Sequence, residues 1–126
     1  MSLRINTDGS VAFDNMTALA AGQAEFKYTT VVTCGAPFLG SRQYVLVIDD
    51  FGAQDLPFNR KAWALYGRGH IFGTAWFGPD DGGPISDELA AMISADIPEW
   101  DLPQSVIDLI LGTVEERPDM LSPRPE

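Results

Sequence analysis

Tyr44-Val45-Leu46-Val47-Ile48 is an unbroken apolar run, closed by the turn Asp49-Asp50-Phe51-Gly52. Side chains along a strand alternate between faces, so a run with no polar alternation suits a central strand buried on both sides. This segment puts a sheet at the centre of the fold, and the remaining segments are read by how they complete it.

Leu3 to Thr7 alternates apolar and polar, Asp8-Gly9 follows, and Ser10-Val11-Ala12-Phe13 comes next. Asp-Gly between such runs predicts a hairpin, because a type I′ turn needs positive φ at both central residues. Phe26–Thr33 is aromatic and β-branched and reads as a strand. Ile71–Phe77 reads as another, with Gly73 marking a bulge or a close backbone approach. Gly35 to Gly40 is a loop. A short Ala-rich helix is predicted over Met16–Ala24, capped by Asp14 or Asn15 and limited in length by Gly22. Asn59 caps a second helix, Arg60–Tyr66, which Gly67 and Gly69 stop. Gly78 to Pro84 is the clearest boundary. Ser86 then opens a helix over Ser86–Ile93, with Asp87 and Glu88 in its first turn. Pro103 and the helical spacing of Val106, Ile107, Ile110, Leu111 and Val114 predict a helix over 103–116. The segment from Arg117 holds three prolines and reads as a loose tail.

The expected fold class is therefore α+β: a mostly antiparallel sheet of about five strands with a short inserted helix and two C-terminal amphipathic helices. Its length makes it one domain, 1–126, able to hide roughly two-thirds of its unfolded surface. Within it, 1–78 is a neutral sheet core, 79–117 an acidic helical extension and 118–126 a tail. The division follows charge. Residues 1–78 carry six acids and six bases, whereas 79–126 carry twelve acids against Arg117 and Arg124.

A net charge of −10 argues against direct binding of DNA or RNA, whose phosphates are held by Lys and Arg. It favours basic protein surfaces instead. Cys34 is the only cysteine, which excludes an internal disulfide and fits a core thiol in a reducing cytosol. No signal peptide is visible and no stretch approaches the ~20 apolar residues of a spanning helix, so the expectation is a cytoplasmic protein without membrane contact.

Few residues suggest a reaction. His70 is the only histidine and could serve as a general base, but one histidine without a cysteine cluster cannot build an ordinary zinc site. Asp49, Asp50 and Asp55 could hold magnesium, although a turn whose aspartates bond nearby backbone explains them better. Asp80-Asp81-Gly82 lacks EF-hand spacing and reads as a solvated loop. Gly67-Arg68-Gly69 follows a helix instead of opening one, so no phosphate-binding glycine loop is present. Asn59, Arg60, Lys61 and Arg68 could form a small anion-binding spot at a helix start. That they solvate the helix and pair with the acidic elements explains them better. Trp100 sits in an acidic linker, where an aromatic could either meet a partner or tie helices together.

The segments Tyr44-Val-Leu-Val-Ile-Asp-Asp-Phe-Gly52, Leu56-Pro-Phe-Asn-Arg-Lys-Ala62, Ala64-Leu-Tyr-Gly67 and Ile71-Phe-Gly-Thr-Ala75, with Leu3-Arg-Ile-Asn-Thr-Asp-Gly-Ser-Val11, resemble a family of small proteins from phages, plasmids and other mobile elements, known only as a domain of unknown function. Arg60 stands where that pattern commonly has proline. The resemblance covers residues 3–78 and implies a mobile-element setting, with no activity, substrate or catalytic residue attached.

The expected function is thus a non-enzymatic binding protein, an accessory factor of a phage or mobile element. It would act in the host cytoplasm on a host protein with a basic surface. The contacts would be Asp87, Glu88, Asp96, Glu99, Trp100, Asp101, Asp108, Glu115 and Glu116. In a sharper version the acids imitate a phosphate repeat and occupy a nucleic-acid groove of a defence protein. One alternative is a small enzyme or ligand-binding domain centred on Asp49, Asn59, Arg68 and His70. Another is a structural or self-associating protein. No metal or cofactor is expected.

Overall fold

The apolar run becomes β4 (Tyr44–Asp49), and it lies inside a five-stranded sheet. The structure, a computed structural model, describes residues 1–50 and 55–100, together with Leu102 and Gln104. The other strands are β1 (Ser2–Ile5), β2 (Val11–Asp14), β3 (Thr29–Thr33) and β5 (Ala75–Pro79). Their order is β2-β1-β5-β4-β3, and every neighbouring pair is antiparallel. Three helices complete the described fold: α1 (Ala18–Glu25), α2 (Arg60–Tyr66) and α3 (Asp87–Ser94). Short 3₁₀ turns occupy Pro37–Leu39 and Ile97–Glu99. The class is α+β, as the sequence predicts. The helix expected over 103–116 and the tail lie outside the described residues.

Both faces of β4 are covered, by different means. On one face Leu46 and Tyr44 join Leu3, Ile5 and Phe77, and this layer packs against Ala62 and Leu65 of α2 and Ile93 of α3. Ile85, Ile97 and Trp100 belong to the same core. The charge boundary at 78/79 is therefore no boundary in the core, and Pro79 itself ends β5 opposite Tyr44. On the other face Val47 and Trp76 pack against Ala18 and Ala21 of α1.

α1 lies close to the sheet because its inner side is nearly flat. A Cβ at Gly22 would stand 2.3 Å from Val47 Cγ1, nearer than any packed carbon can come. Gly22 is thus an interior contact residue of α1 and does not limit the helix. The cap also differs from the expectation. Thr17, and neither Asp14 nor Asn15, caps α1, its Oγ1 accepting from the Ala20 N–H at 3.1 Å. Asp14 instead accepts from the Met16 N–H at 2.8 Å, turning the chain just ahead of the helix. At the far end Glu25 joins α1 to the sheet. Arg4 Nη2 donates to Glu25 Oε2 at 2.6 Å, and Trp76 Nε1 donates to Oε1 at 2.9 Å.

Two strand boundaries are corrected. β3 begins at Thr29, because α1 runs through Glu25 and Phe26 is its C-cap. β5 begins at Ala75, because Gly73 has φ +82° and cannot continue an extended strand. The close approach expected at Gly73 is present: its N–H donates to Pro57 O at 2.7 Å, and a Cβ would stand 2.5 Å from Leu56 Cδ1. Arg60–Tyr66 and the Ser86 cap stand where the sequence predicts them.

Replacing Gly22 with Ala should cost stability although alanine is the better helix former. Overpacking against Val47 is expected to lower the unfolding free energy by about 1–3 kcal/mol, read from the urea midpoint at unchanged m.

Candidate acidic interface

α3 owes its position to an amphipathic sequence. Ser86 Oγ accepts from the Leu89 N–H at 3.1 Å and closes the helix start. Asp87 and Glu88 then fall in the first turn, where the helix dipole favours negative charge. Both are exposed, while Ile93 turns inward and is fully buried. After the helix, Asp96 precedes the 3₁₀ turn and Glu99 ends it; both are exposed, with Ile97 buried between them. The four carboxylates thus form two pairs, one at each end of an eight-residue helix whose backbone spans about 12 Å. Neither ion pair among the described residues, Arg4–Glu25 nor Arg42–Asp81, involves any of these four.

Trp100 does not belong to that surface. It is 3% exposed, its ring centroid lies 5.2 Å from that of Phe38, and its Nε1 donates to Ala95 O at 3.2 Å. Of the two roles open to it, the ring ties the segment after α3 to the core, and it is unavailable to a partner. Asp101, Asp108, Glu115 and Glu116 lie outside the described residues.

The basic cluster is also corrected. Asn59 is fully buried: Oδ1 accepts from the Ala62 N–H at 3.1 Å, and Nδ2 donates to Ile5 O at 3.0 Å and Gly73 O at 2.9 Å. Lys61 is 5% exposed, and its Nζ donates to Ser94 O at 3.0 Å, holding the last turn of α3 to α2. Burial pushes the Lys61 pKa down, opposed by the attraction of Asp96 and Asp8. Only Arg60, half-buried, and Arg68, exposed, keep side chains toward solvent. The four residues therefore do not converge on an anion, and the helix start is already occupied by its own cap.

The alternative centre is likewise dispersed. His70 stacks on Trp63 with ring centroids 5.3 Å apart and planes 12° from parallel, and Phe58 and Phe72 lie beside it. Its Nε2 is buried without a hydrogen-bond partner among the described residues. Desolvation holds the His70 pKa below the usual imidazole value. Arg68 is exposed in the turn after α2, and Asp49 ends β4 opposite Thr29. Asp50 accepts from the Thr30 hydroxyl of β3, a bond across the strand pair and not to the backbone of its own turn. Asp81 accepts from the Gly83 N–H at 2.9 Å and from Arg42, which together lower its pKa. Among the described residues no three His, Cys, Asp or Glu side chains gather as a metal site. Burial pushes the Cys34 thiol up to about 12, so it stays protonated and packs as a small apolar group. No described helix is long and apolar enough to cross a membrane.

Two residues carry more of the structure than their sequence context suggests. Asn59 is visible as a helix cap, but its amide partners lie 54 and 14 positions away. Lys61 looks like a surface base, and only the docking of α3 buries it. No family model matches the chain, and no curated protein or solved structure matches it either.

Asn59→Ala should lower unfolding free energy by about 2–4 kcal/mol, combining a lost cap with two stranded carbonyls. Thermal and urea unfolding would read it. The single histidine makes a second outcome clean. Because the folded state disfavours imidazolium, the unfolded chain binds more protons just below the unfolded His pKa of about 6.5. Stability should therefore fall between about pH 7 and pH 5.5. His70→Phe should flatten that dependence in urea titrations at each pH.

Proposed function

We propose that this chain is a non-enzymatic binding protein whose acidic face engages a basic surface on another protein. The observation that carries this reading is the state of Asp87, Glu88, Asp96 and Glu99. All four are exposed, none belongs to an ion pair among the described residues, and they stand on a helix and turn held to the core by Ile93, Ile97 and Trp100. Charges held this way enter a complex at little ordering cost, and they steer a basic partner from a distance. The partner is a host protein, and the setting a phage or mobile element in a host cytoplasm. That setting rests on the resemblance of residues 3–78. In the sharper form of the proposal, the partner's basic surface is a nucleic-acid groove and the carboxylates stand in for phosphates.

Pull-down from host lysate tests this. The captured protein should be released in about 1 M salt, where the Debye length shrinks to about 3 Å. Reversing the charges (Asp87→Lys, Glu88→Lys, Asp96→Lys and Glu99→Lys together) should weaken capture by roughly tenfold or more, because such charges act mainly on the encounter rate. Equal capture by the reversed variant would sink the acidic-face reading. Double-stranded DNA should displace the captured protein if the groove version holds, and leave it bound if it does not.

A further inference from the structure

β3 forms an open edge of the sheet, and its phase is set by two backbone bonds. The Asp50 N–H donates to Tyr28 O at 3.0 Å, and the Cys34 N–H donates to Tyr44 O at 2.9 Å. Antiparallel strands alternate inward-bonded and outward-facing residues. The even positions Tyr28, Thr30, Val32 and Cys34 therefore bond β4. Thr29, Val31 and Thr33 turn their N–H and C=O groups away from the sheet, and no strand of the described fold takes them.

Nothing in β3 blunts this edge. Natural edges are protected by charge, proline, bulges or shortness. β3 is Thr-Thr-Val-Val-Thr, five residues of high strand propensity with no charge, no proline and no glycine. Val31 is 49% exposed at its centre. It lines a groove between β3 and α1, together with Leu19, Val45 and Pro79 and, at its rim, Asp80 and Asp81. The opposite edge strand, β2, is one residue shorter and ends in Asp14.

We propose that β3 pairs antiparallel with β3 of a second copy of this chain, about a two-fold axis at Val31. The outward-facing residues specify this occupant. They read Thr29-Val31-Thr33, a palindrome. A two-fold axis through Val31 sets Val31 against Val31 of the other copy, and Thr29 against Thr33 in both directions. β-branched pairs of this kind are favourable across antiparallel strands. A surface that matches itself under rotation is what an isologous dimer requires. The axis also joins the two α1–β3 grooves side by side and covers both Val31 side chains. β3 itself carries no charged side chain to oppose the pairing, and the acids nearest to it are Asp80 and Asp81, which line the groove beside Val31. The pairing does not depend on the acidic face, and either reading can fail alone.

Light scattering and sedimentation across a concentration series test the pairing. The wild-type chain should reach the mass of two copies and no more, since each β3 edge is used once. Val31→Lys places a charge at the axis on an already exposed position. It should restore single-copy mass with an unchanged circular dichroism spectrum. A cross-link fixes the register. Opposed bonded residues in antiparallel strands have Cα atoms about 5.5 Å apart, within disulfide reach. In a Cys34→Ser background, Val31→Cys should therefore oxidise to a covalent dimer at least tenfold faster than Phe13→Cys on the opposite edge. Single-copy mass for the wild type up to near-millimolar concentration would overturn the proposal. So would assemblies larger than two, an undiminished dimer in folded Val31→Lys, or equal cross-linking at positions 31 and 13.

Discussion

The Asn59 amide is the point on which the described fold turns. It is the one side chain that simultaneously starts a helix and holds two distant carbonyls, at Ile5 in β1 and Gly73 before β5. Its backbone N–H donates to Ile71 O at 2.7 Å, so the same residue also ties the approach to β5. All of this lies at a fully buried position, where an unmatched polar group would cost about 1–3 kcal/mol. The direction in which α2 leaves the sheet is thereby set by hydrogen bonds, and Ala62 and Leu65 are delivered onto Ile5, Leu46 and Phe77. Once α2 is placed, Lys61 receives the carbonyl of Ser94 and positions α3, which brings the acidic face into register with the core.

The two sheet faces solve the same covering problem differently. One face has α2, α3 and the Trp100 anchor, with Leu65, Ile93, Ile97 and Trp100 filling depth beside the smaller Ala62 and Ala64. The other has a single helix of small residues, and contact is achieved by close backbone approach at Gly22 over Val47. The Glu25 carboxylate supplies polar fastening there, accepting from Arg4 and Trp76. A carboxylate shared by a guanidinium and an indole N–H is held below its usual pKa, and it stays ionised through the neutral range. One eight-residue helix cannot roof five strands, which leaves the β3 side of that face open at Val31.

Local signals in the chain were legible where short-range physics decides the outcome. The apolar run at Tyr44–Ile48, the β1–β2 hairpin, the Asn59 and Ser86 caps and the Gly67 stop all depend on residues within a few positions of one another. The type I′ turn expected at Asp8-Gly9 is not formed: Gly9 takes a positive φ of 92° but Asp8 does not, and the loop closes between Asn6 and Ser10. The errors occur where tertiary contact overrides local preference. Gly22 looked like a helix stop because glycine weakens helices, yet its role is set by Val47, which is remote in sequence. The strand at 71–77 moved toward Pro79 because Gly73 takes a positive φ to meet Leu56 and Pro57. From its acidic neighbours alone Trp100 reads either as a partner contact or as a tie between helices, and Lys61 reads as one of a basic cluster in solvent. Burial of each depends on an element docking from elsewhere, which no window along the chain contains. The acidic residues at 87, 88, 96 and 99 were legible as exposed because the apolar positions between them already specify which side faces inward.

Among the described residues the acids of α3 and of the turn after it stay outside the ion pairs, and the reason lies in how the described bases are disposed. Arg4 faces Glu25, Arg42 faces Asp81, and Lys61 is buried against a carbonyl. Arg42 and Asp81 are both solvent-exposed, so their pair contributes little, and it does nothing for the acids of α3. Lys61 is the base that feels Asp96, but burial disfavours its charge and its ammonium is directed to Ser94 O. A chain that needed its acids only for solubility would gain by pairing some of them internally, since self-repulsion of uncompensated charge destabilises the compact state. Here the acids flanking α3 stay outside the ion pairs of the described residues, and the backbone beneath them is fixed by Ile93, Ile97 and Trp100. Among the described residues that field is left to water and counterions to screen, which is the state the proposed cationic partner would meet.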